Sequence, residues 1–334
     1  MGAHEFAIRR LVQLVPTLLG LLVLIFLIAR VMPGDPVRLA LGPEATAEQV
    51  AALRNQLGLD QPLPVQFVNY LIGLVRGDFG VSLRTLRGVG SDIAGLLPAT
   101  LELVTVSLLF SILLGVTAGI FSALYQNSWV DNLVRLTSIS GVALPRFWVG
   151  ILFQIFLASK LGLFPIIGRA AAPIHGPTGF YTLDALLAGN LPGFFDSLWH
   201  LVLPALTLAL PTAAQLARLS RASMIEVLRQ QYVLVHRAYG VPTSRLVLRY
   251  ALRNSLTSVL TLLGLSFGSL IENAFLVEVV FSWPGISAYG AAAVLAKDFN
   301  AVVAVTLIVG LAFMLANLIV DLLYGVLDPR VRYD

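Results

Sequence analysis

One short string in this sequence has the spacing of a serine nucleophile. Residues 264–268 are Gly-Leu-Ser-Phe-Gly and match G-x-S-x-G, the sharp strand-to-helix turn that presents a catalytic serine. That chemistry needs a histidine later in the chain, and the last of the four histidines is His236. The string also lies within a long apolar stretch, where two glycines four residues apart let a neighbouring helix approach closely. We therefore interpret its glycines, like Gly115 and Gly119, as helix-packing positions and exclude an intramembrane hydrolase.

Other common reaction centres are missing from the sequence. It contains no G-x-x-x-x-G-K-S/T string, and therefore no P-loop for ATP. It contains no H-E-x-x-H string, and its four histidines have no metal-ligand spacing. It has no cysteine that could serve as a thiol nucleophile or a thiolate ligand. We expect no catalytic residue, no metal site and no cofactor bound by this chain itself.

Four acidic residues lie inside stretches that are otherwise apolar, namely Glu102, Glu272, Glu278 and Asp321. Ionisable residues are costly within a membrane and usually mark a functional site there, although a neighbouring helix or water can also satisfy them. Glu102 and Glu278 fall near the outer ends of their stretches, and we expect Glu102 to contact water. Glu272 falls deepest, next to Asn273. We select Glu272, Asn273 and Glu278 as candidates for a functional site inside the membrane.

The elements that must position these residues are those of a membrane protein. Of the 334 residues, 57% are hydrophobic and only 12% are charged, and the mean hydropathy is +0.86. A soluble domain has about 25% charged residues, whereas a helix of about 20 apolar residues crosses a bilayer. The composition excludes a disordered chain and disfavours a soluble enzyme. We predict one all-α transmembrane domain over residues 1–334, with six spans at about 11–32, 99–125, 138–162, 197–219, 255–281 and 301–327.

The positive charges set the expected orientation. Loops rich in arginine and lysine face the cytoplasm, and nearly all the positive charges of this chain are arginines. With both termini inside, the inner segments carry twelve of them: Arg9, Arg10, Arg135, Arg218, Arg221, Arg229, Arg237, Arg245, Arg249, Arg253, Arg330 and Arg332. Seven lie between Arg218 and Arg253, which makes that inner segment strongly basic. We therefore predict that both termini are cytoplasmic.

The first segment between spans, residues 33–98, is predicted to be helical and to lie on the outer, periplasmic side. Thr46 and Gln49 have capping-box spacing at the start of a helix that Gly58 can end. A second amphipathic helix is predicted over Val65–Val75. These helices either pack on the membrane surface and the transmembrane bundle, or form part of a docking surface for a delivery partner.

The basic inner segment, residues 220–254, has the pattern of two short helices joined by a corner. Residues 232–239 have the pattern of an amphipathic helix, and Gly240 can adopt the positive φ that ends it. The Val-Pro pair that follows enforces a non-helical corner, and Thr243 or Ser244 can cap the next helix. Such an elbow is a rigid knob that suits the transmission of force to or from a soluble partner. The alternative is a basic loop held against anionic lipid headgroups.

Six short strings, in order along nearly the whole chain, are similar to those of one transporter family. They are Met-Pro-Gly-Asp-Pro at 32–36, Leu-Gly-Leu-Asp-Gln-Pro at 57–62, Gly-Asp-Phe-Gly at 77–80, Leu-Pro-Ala-Leu-Thr at 203–207, Phe-Ser-Trp-Pro-Gly-Ile at 281–286 and Leu-Asp-Pro-Arg-Val-Arg-Tyr at 327–333. The chain therefore resembles the permease subunits of ATP-binding-cassette importers of the dipeptide, oligopeptide and nickel type. Within that family it resembles the first of two paired permeases. The resemblance implies the type I importer transmembrane fold.

The resemblance also implies a role for the elbow. The inner segment is similar to the coupling loop of importer permeases, whose coupling helix, here about residues 232–243, docks in a cleft of the ATPase subunit. The residues implied in coupling are Glu226, Tyr232, His236, Arg237, Ala238, Tyr239, Gly240 and Pro242. The family usually has Arg-Ala-Lys-Gly where residues 237–240 are Arg-Ala-Tyr-Gly. Tyr239 therefore loses one cationic contact, while Gly240 keeps the geometry.

The function that the resemblance implies is that of a non-catalytic permease subunit in the bacterial inner membrane. The subunit forms half of a pathway for di- or oligopeptides by alternating access, with Glu272, Asn273 and Glu278 as candidate pathway residues. Small residues are more usual in the family at 272–273. The implied partners are a second, similar permease, two ATPase subunits that bind ATP and magnesium, an external solute-binding protein and the lipid bilayer. No nucleic-acid partner is expected.

Two alternatives concern the substrate and the energy source. A nickel chelate or glutathione is an alternative substrate, because the external binding protein largely decides selectivity in such systems. A stand-alone secondary carrier or channel is the rival class. Such a carrier is expected to show inverted internal repeats, and the two halves of this sequence show none.

Overall fold

The computed structural model describes residues 3–31, 36–42, 44–56 and 58–327, which are predominantly helical. Within these residues the only β pairing is an isolated bridge between Val81 and Gly88. The helices are α1 (Ala3–Val31), α2 (Pro36–Leu41), α3 (Ala47–Gln56), α4 (Leu63–Val75), α5 (Val89–Leu124), α6 (Trp129–Ala143), α7 (Arg146–Phe153), α8 (Tyr181–Leu187), α9 (Leu191–Leu228), α10 (Gln231–Ala238), α11 (Thr243–Arg245), α12 (Leu252–Val280), α13 (Ile286–Leu295) and α14 (Phe299–Leu327). π-helical turns continue α7 over Gln154–Lys160 and α11 over Leu246–Ala251.

Some predicted features lie outside the described residues. They are the string at 32–36 except for its last residue, Leu57 of the second string, the string at 327–333 after its first residue, and the side chain of Asp321. The interpretations given to them therefore stay predictions.

Four of the described helices, α5, α9, α12 and α14, are long and apolar enough to cross a membrane. They overlap the spans predicted at 99–125, 197–219, 255–281 and 301–327. Helices α5 and α9 begin earlier than predicted, at Val89 and Leu191. Apolar side chains such as Leu113 and Ile319 are exposed on the outside of the bundle. A bundle with so much exposed apolar surface suits hydrocarbon better than water.

The prediction of a continuous third span at 138–162 is wrong. Helix α6 ends at Ala143, and α7 begins at Arg146 in a direction that differs by 109°. The residue before a proline avoids helical backbone angles, and Leu144, which precedes Pro145, has φ −81° and ψ 134°. This Leu-Pro pair breaks an apolar stretch that is continuous by composition. If the bent α6–α7 pair counts as one span, the described residues hold five candidate spans.

Helix α1 covers the predicted first span at 11–32 as far as Val31. The helix packs along α14, where Leu21 lies 3.1 Å from the position of a Cβ built on Gly310. A span at this position, the count of six spans and the side of the termini stay predictions.

Helices α5 and α9 pack closely at the centre of the bundle. A Cβ added to Gly115 or Gly119 would lie 2.6 Å from atoms of α9, so only glycine permits this approach. A Cβ on Gly268 of α12 would lie 2.2 Å from the Phe313 ring of α14. The packing role predicted for these three glycines is therefore confirmed, whereas that of Gly264 stays a prediction. The core around the contact contains buried side chains from α5, α9 and α12 together with Phe281, among them Leu103, Leu201, Leu208 and Leu270.

The outer segment begins with the predicted capped helix. The Thr46 amide donates to Gln49 Oε1 at 3.0 Å, and the Gln49 amide donates to Thr46 Oγ1 at 3.3 Å, which confirms the capping box at α3. Gly58 has a φ of +65° just after α3. Helix α4 begins two residues before the predicted start, and its Phe67 ring packs edge-on against Phe26 of α1 at 5.1 Å. Helix α4 is thus in contact with the bundle.

Candidate coupling elbow and translocation pathway

The inner elbow consists of α10, a corner and α11, and it follows directly after α9. Helix α10 matches the predicted helix, and the buried side chain of Val233 anchors it. Leu246 anchors the returning arm in the same way. The prediction that Thr243 or Ser244 caps this arm is wrong, because Pro242 occupies the N-cap position and no side chain caps the turn. The elbow is therefore held at both arms by buried apolar side chains.

Gly240 ends α10 with the positive φ that the sequence predicts, +77°. The Gly240 amide donates to the Arg237 carbonyl at 3.0 Å, and the Val241 amide donates to the His236 carbonyl at 3.1 Å. These two bonds form a Schellman motif, which satisfies the last carbonyls of the helix. Within the described residues, no heavy atom lies within 4 Å of the position of a Cβ on Gly240. Backbone conformation, not space, therefore selects glycine at this corner.

The other predicted coupling residues divide into a framework contact and an exposed surface. The His236 ring packs against Tyr250 of the returning arm, with ring centroids 4.4 Å apart, and so holds the two arms together. The exposed members are Glu226, Tyr232, Arg237, Ala238, Tyr239 and Pro242. The structure therefore presents most of the predicted coupling residues on one short element.

The elbow exposes both apolar and basic side chains. Leu234, Val235 and Tyr239 are exposed, and Tyr239 reaches 84% exposure. The exposed arginines nearby are Arg229, Arg237, Arg245 and Arg249. Exposed apolar and aromatic side chains together with arginines are typical of a protein–protein interface. We define Leu234, Val235, Tyr239 and these four arginines as the elbow surface.

One arginine of the basic segment has an internal role instead. The Arg221 guanidinium donates to both carboxylate oxygens of Asp131, at 2.7 and 2.8 Å, and the Ser122 hydroxyl donates to the same carboxylate at 2.5 Å. Asp131 is fully buried, so these contacts tie α9 to α5 and α6 below the elbow. Sequence reasoning missed Asp131, although its place three residues after the N-cap residue Ser128 indicates a helix start.

Glu272 is the predicted pathway residue that faces open space. Its side chain is exposed and borders a cavity of about 420 Å³ between α12, α13 and α14. The cavity is otherwise apolar except for the hydroxyls of Ser287 and Thr306. The neighbouring Asn273 is engaged within its own helix, because its Nδ2 donates to the Ser269 carbonyl at 2.7 Å. A carboxylate is therefore the one charged group that the described residues place on this cavity.

Glu278 is an internal anchor and does not border that cavity. Its carboxylate is buried and accepts hydrogen bonds from the Thr100 hydroxyl at 2.6 Å and from the Ala288 amide at 2.7 Å. A Cβ on Gly285 would lie 2.1 Å from the Glu278 carboxyl carbon, which explains the glycine in the string at 281–286. The structure therefore gives no support to the prediction that Glu278 belongs to the pathway.

The expectation that Glu102 contacts water is wrong. Its carboxylate is buried against the Arg169 guanidinium, 2.5 Å away, and it also accepts hydrogen bonds from the amide and hydroxyl of Thr182. Arg169 belongs to the second outer loop, 67 residues further along the chain. No local sequence signal marks two residues so far apart as partners.

The helical bundle and its exposed apolar surface define a membrane protein. The chain matches the family described as "Binding-protein-dependent transport system inner membrane component" over residues 115–333, and the N-terminal unit of such components over residues 3–104. It belongs to this family and is a multi-pass inner-membrane protein. Because these components work with a binding protein, the rival hypothesis of a stand-alone carrier or channel is wrong.

Several curated relatives are similar along nearly their whole length. A probable D,D-dipeptide transport system permease protein, DdpB, of Escherichia coli is 44% identical over 95% of this chain and 94% of its own. A di/tripeptide transport system permease protein, DppB, of Pseudomonas aeruginosa is 39% identical over 99% of both chains. A glutathione transport system permease protein, GsiC, of Escherichia coli is 38% identical over 98% of this chain and 99% of its own. The predicted family resemblance is confirmed.

A solved structure supports the fold. The chain is similar to the MetNI methionine ABC transporter in an inward-facing crystal form, with a TM-score of 0.52, 14% sequence identity, and coverage of 69% of this chain and 93% of that chain. At this identity the likeness concerns the fold alone. The predicted class, an all-α importer transmembrane domain, is confirmed.

Proposed function

We propose that this chain is the permease subunit of an ATP-driven importer of di- or oligopeptides. The observation that carries the proposal is its similarity, over almost the whole of both chains, to permeases named for dipeptide and di/tripeptide transport. In the proposal the chain forms half of a translocation pathway beside a second, similar permease. An external binding protein delivers the peptide to the outer side, where residues 33–98 lie. The chain itself makes and breaks no covalent bond.

Two partner ATPase subunits supply the energy in this proposal. The sequence has no P-loop, so ATP and magnesium bind to those partners and not to this chain. The elbow surface is the proposed contact, since it exposes apolar, aromatic and basic side chains. It lies within residues 220–254, which we place on the cytoplasmic side because of their arginines.

The structure of the elbow supports its proposed use as a lever. The Schellman bonds at Gly240 fix the angle between its arms, and the buried Val233 and Leu246 fix the arms to the bundle. The pair of Arg221 and Asp131 ties the base of the elbow to α5 and α6. When the ATPases close on ATP, a displacement of the elbow would therefore move several membrane helices together and alternate the access of the pathway.

Substitutions of Gly240 test the coupling. Gly240→Asn keeps a residue that tolerates positive φ, whereas Gly240→Val places a β-branched side chain there at a cost of roughly 1–2 kcal/mol. Neither side chain clashes at its Cβ, because the position is open. We expect the reconstituted transporter to keep peptide uptake and uptake-coupled ATP hydrolysis with asparagine, and to lose coupling with valine. Full coupling in the valine variant, or after deletion of residues 236–242, contradicts the assignment.

Glutathione is the second candidate substrate, because GsiC is similar over almost the same length as the peptide permeases. Uptake of a radiolabelled dipeptide and of radiolabelled glutathione, each by the transporter with its own binding protein in proteoliposomes, separates the two. We expect ATP-dependent uptake of the dipeptide, and competition by unlabelled dipeptide but not by glutathione. Uptake of glutathione alone would replace the peptide assignment and leave the permease assignment in place.

A further inference from the structure

The break between α6 and α7 places one arginine at the border of a cavity. Arg146 is the first residue of α7, directly after Pro145. The cavity lies between α6, α7 and α9 and has a volume of about 410 Å³. Its other described lining residues are uncharged and mostly apolar, and they include Trp148 and Phe153 of α7. A mostly apolar and aromatic lining with a few polar groups is typical of a site for a small molecule.

The Arg146 guanidinium has no acceptor among the residues that the structure describes. Its Nε atom is buried and makes no hydrogen bond. Within the described part of the chain, no hydrogen bond or ion pair joins its other nitrogens to an acceptor either. A guanidinium stays charged at any ordinary pH, so removing it from water without an acceptor costs free energy. Inside a membrane protein, a charge of this kind usually marks a functional site.

The cavity adjoins a second recess between α6 and α9. This smaller cavity has a volume of about 140 Å³ and shares three lining residues with the first, namely Thr137, Gly141 and Leu210. Along α9 the lining of the two cavities extends from Thr207 to Ala217, a distance of about 15 Å toward the elbow. Arg146 therefore lies beside a recess that leads along α9 toward the end of the helix that carries the elbow.

The depth of the cavity argues against a lipid headgroup as its occupant. Leu210, at its border, lies near the middle of α9 (Leu191–Leu228) and of the span predicted at 197–219. Lipid phosphates lie outside a hydrocarbon core about 30 Å thick, and so at least about 15 Å from its centre. An anion at Arg146 is therefore better explained as part of the transported solute than as a lipid phosphate.

We propose that Arg146 binds the terminal carboxylate of the peptide in this cavity during its passage through the membrane. The two carboxylate oxygens accept hydrogen bonds from paired N–H donors of the guanidinium. The apolar and aromatic lining accommodates the side chains of the peptide, and the recess along α9 continues its path. The inference rests on the proposed peptide transport and names the group that recognises this substrate class within the membrane.

A purely structural cation is the competing explanation. In that case Arg146 pairs with a carboxylate of the second permease, and removing the cation leaves that carboxylate uncompensated and weakens the assembly. If Arg146 instead binds a ligand, removing the cation removes a cost to the free protein, so the melting temperature stays the same or rises. Only ligands that carry a carboxylate then lose affinity. Stability and the chemistry of the ligand therefore separate the two explanations.

The test measures peptide binding by the complete transporter in nanodiscs, without ATP and without the binding protein. Saturation-transfer NMR compares the affinities of alanyl-alanine and of alanyl-alaninamide, which lacks the carboxylate. The wild type should bind the free acid roughly tenfold more tightly, the effect of one charge-assisted hydrogen bond. Arg146→Gln should weaken binding of the free acid about tenfold, without weakening that of the amide or lowering the melting temperature. Arg135→Gln, at an exposed arginine of α6 that does not border the cavity, is the matched control and should change neither affinity.

Uptake of radiolabelled alanyl-alanine by the transporter with its binding protein in proteoliposomes separates this inference from the proposed function. If the wild type imports none, the proposed function is wrong and the inference fails with it. If the wild type imports the peptide but shows no saturable binding of it, or binds acid and amide equally, the inference alone is overturned.

The Arg146 variants give two further results that overturn the inference. One is an unchanged affinity for the free acid in Arg146→Gln. The other is an equal loss for acid and amide together with a lower melting temperature, which identifies a structural cation. If Arg146→Gln does not assemble, Arg146→Lys is measured instead, since it keeps the charge but not the paired donors. A reduced preference for the acid in Arg146→Lys supports the inference, and the wild-type preference overturns it.

Discussion

The Arg169 guanidinium lies 2.5 Å from the Glu102 carboxylate, and the two side chains are only 6% and 3% exposed. Arg169 also donates to the Gly179 carbonyl at 3.0 Å, and its guanidinium carbon lies 3.9 Å from the centroid of the Tyr181 ring. The other oxygen of Glu102 accepts two hydrogen bonds from Thr182. This pair therefore fastens the second outer loop and α8 to α5.

Breaking this pair from one side should strongly destabilise the protein. Arg169→Met leaves the Glu102 carboxylate buried without its cation, which costs about 3–5 kcal/mol of unfolding free energy. The double variant Arg169→Met/Glu102→Gln leaves no charge uncompensated and should recover most of that loss. Unfolding in mixed detergent micelles, followed by circular dichroism, measures both.

The pair of Arg87 and Asp92 provides the comparison, because only its carboxylate is buried. Its atoms are 2.8 Å apart, the Arg87 side chain is 70% exposed and the Asp92 side chain 2%, and the Thr85 hydroxyl also donates to Asp92. Arg87→Met should therefore cost less than Arg169→Met, because water screens the Arg87 cation and Asp92 keeps its hydroxyl donor. If Arg87→Met and Arg169→Met destabilise the protein equally, burial is not the reason for the strength of the Arg169 pair.

Asp184 of α8 holds the same outer loop by hydrogen bonds. Burial alone would raise the pKa of this carboxyl. The hydroxyl and amide of Thr178 donate to one carboxylate oxygen at 2.7 and 3.0 Å, and the Gly179 amide donates to the other at 2.8 Å. Together with the nearby Arg169 cation, these donors lower the pKa below its ordinary value. The charged form of Asp184 therefore stabilises the fold.

The stability that Asp184 contributes should depend on pH with a definite sign. Because its folded pKa is lowered, the contribution is complete above the ordinary aspartate pKa of about 4 and is lost as the pH falls through the lower, folded value. Asp184→Asn replaces an accepting oxygen by an N–H donor that faces the donors of Thr178 and Gly179. It should therefore lower the unfolding free energy by about 2 kcal/mol at pH 7. The difference in melting temperature between wild type and variant should shrink as the pH falls from 5 to 3. A constant difference over that range would falsify this role.

The features that the sequence predicts correctly are determined locally. The capping box of Thr46 and Gln49 and the positive φ of Gly58 and Gly240 depend on residues within four positions of one another. A local rule for backbone or capping is therefore sufficient at these positions. The packing glycines of α5 were also predictable, because a four-residue spacing in an apolar helix has few other causes.

The features that the sequence does not predict depend on long-range partners or on a competing rule. The burial of Glu102 could not be predicted, because it depends on Arg169, which is 67 residues further along the chain. Asp131 was missed for the same reason, because its partner Arg221 is 90 residues away. At Pro145 two sequence rules predict different structures for the same stretch. Apolar composition predicts one span, whereas the proline and the residue before it force a bend.

The glycine contacts between α5 and α9 should tolerate no added atom. A Cβ on Gly119 would lie 2.7 Å from the Ala217 carbonyl and 3.0 Å from the Arg221 amide, and these backbone atoms cannot move aside without shifting α9. Gly119→Ala should therefore destabilise the protein by about 1–3 kcal/mol. Gly95→Ala is the matched control in the same helix, with no atom within 4 Å among the described residues. It should be neutral or stabilise by up to about 1 kcal/mol. Equal effects of both substitutions in detergent unfolding would exclude close packing as the cause.

Tyr239 should matter for the ATPase partner and not for the fold. Its side chain is almost fully exposed, so Tyr239→Ala should change the unfolding free energy by less than about 0.5 kcal/mol. If the elbow surface docks as proposed, loss of this aromatic side chain costs about 1–2 kcal/mol of binding, or roughly tenfold in affinity. Titration of the purified ATPase against the permease pair in nanodiscs measures this affinity.

Two further variants make the Tyr239 test specific. Phe195→Ala removes another exposed aromatic side chain, at the opposite end of α9 from the elbow, and should leave the affinity unchanged. Tyr239→Lys introduces the residue that the family resemblance leads us to expect there, and it adds a fifth positive charge to the elbow surface. Because exposed charges are screened by salt, this variant should bind with a steeper dependence on ionic strength than the wild type. Wild-type affinity in Tyr239→Ala, or an unchanged salt dependence in Tyr239→Lys, would show that Tyr239 lies outside the contact and that the ATPase docks elsewhere on the inner face.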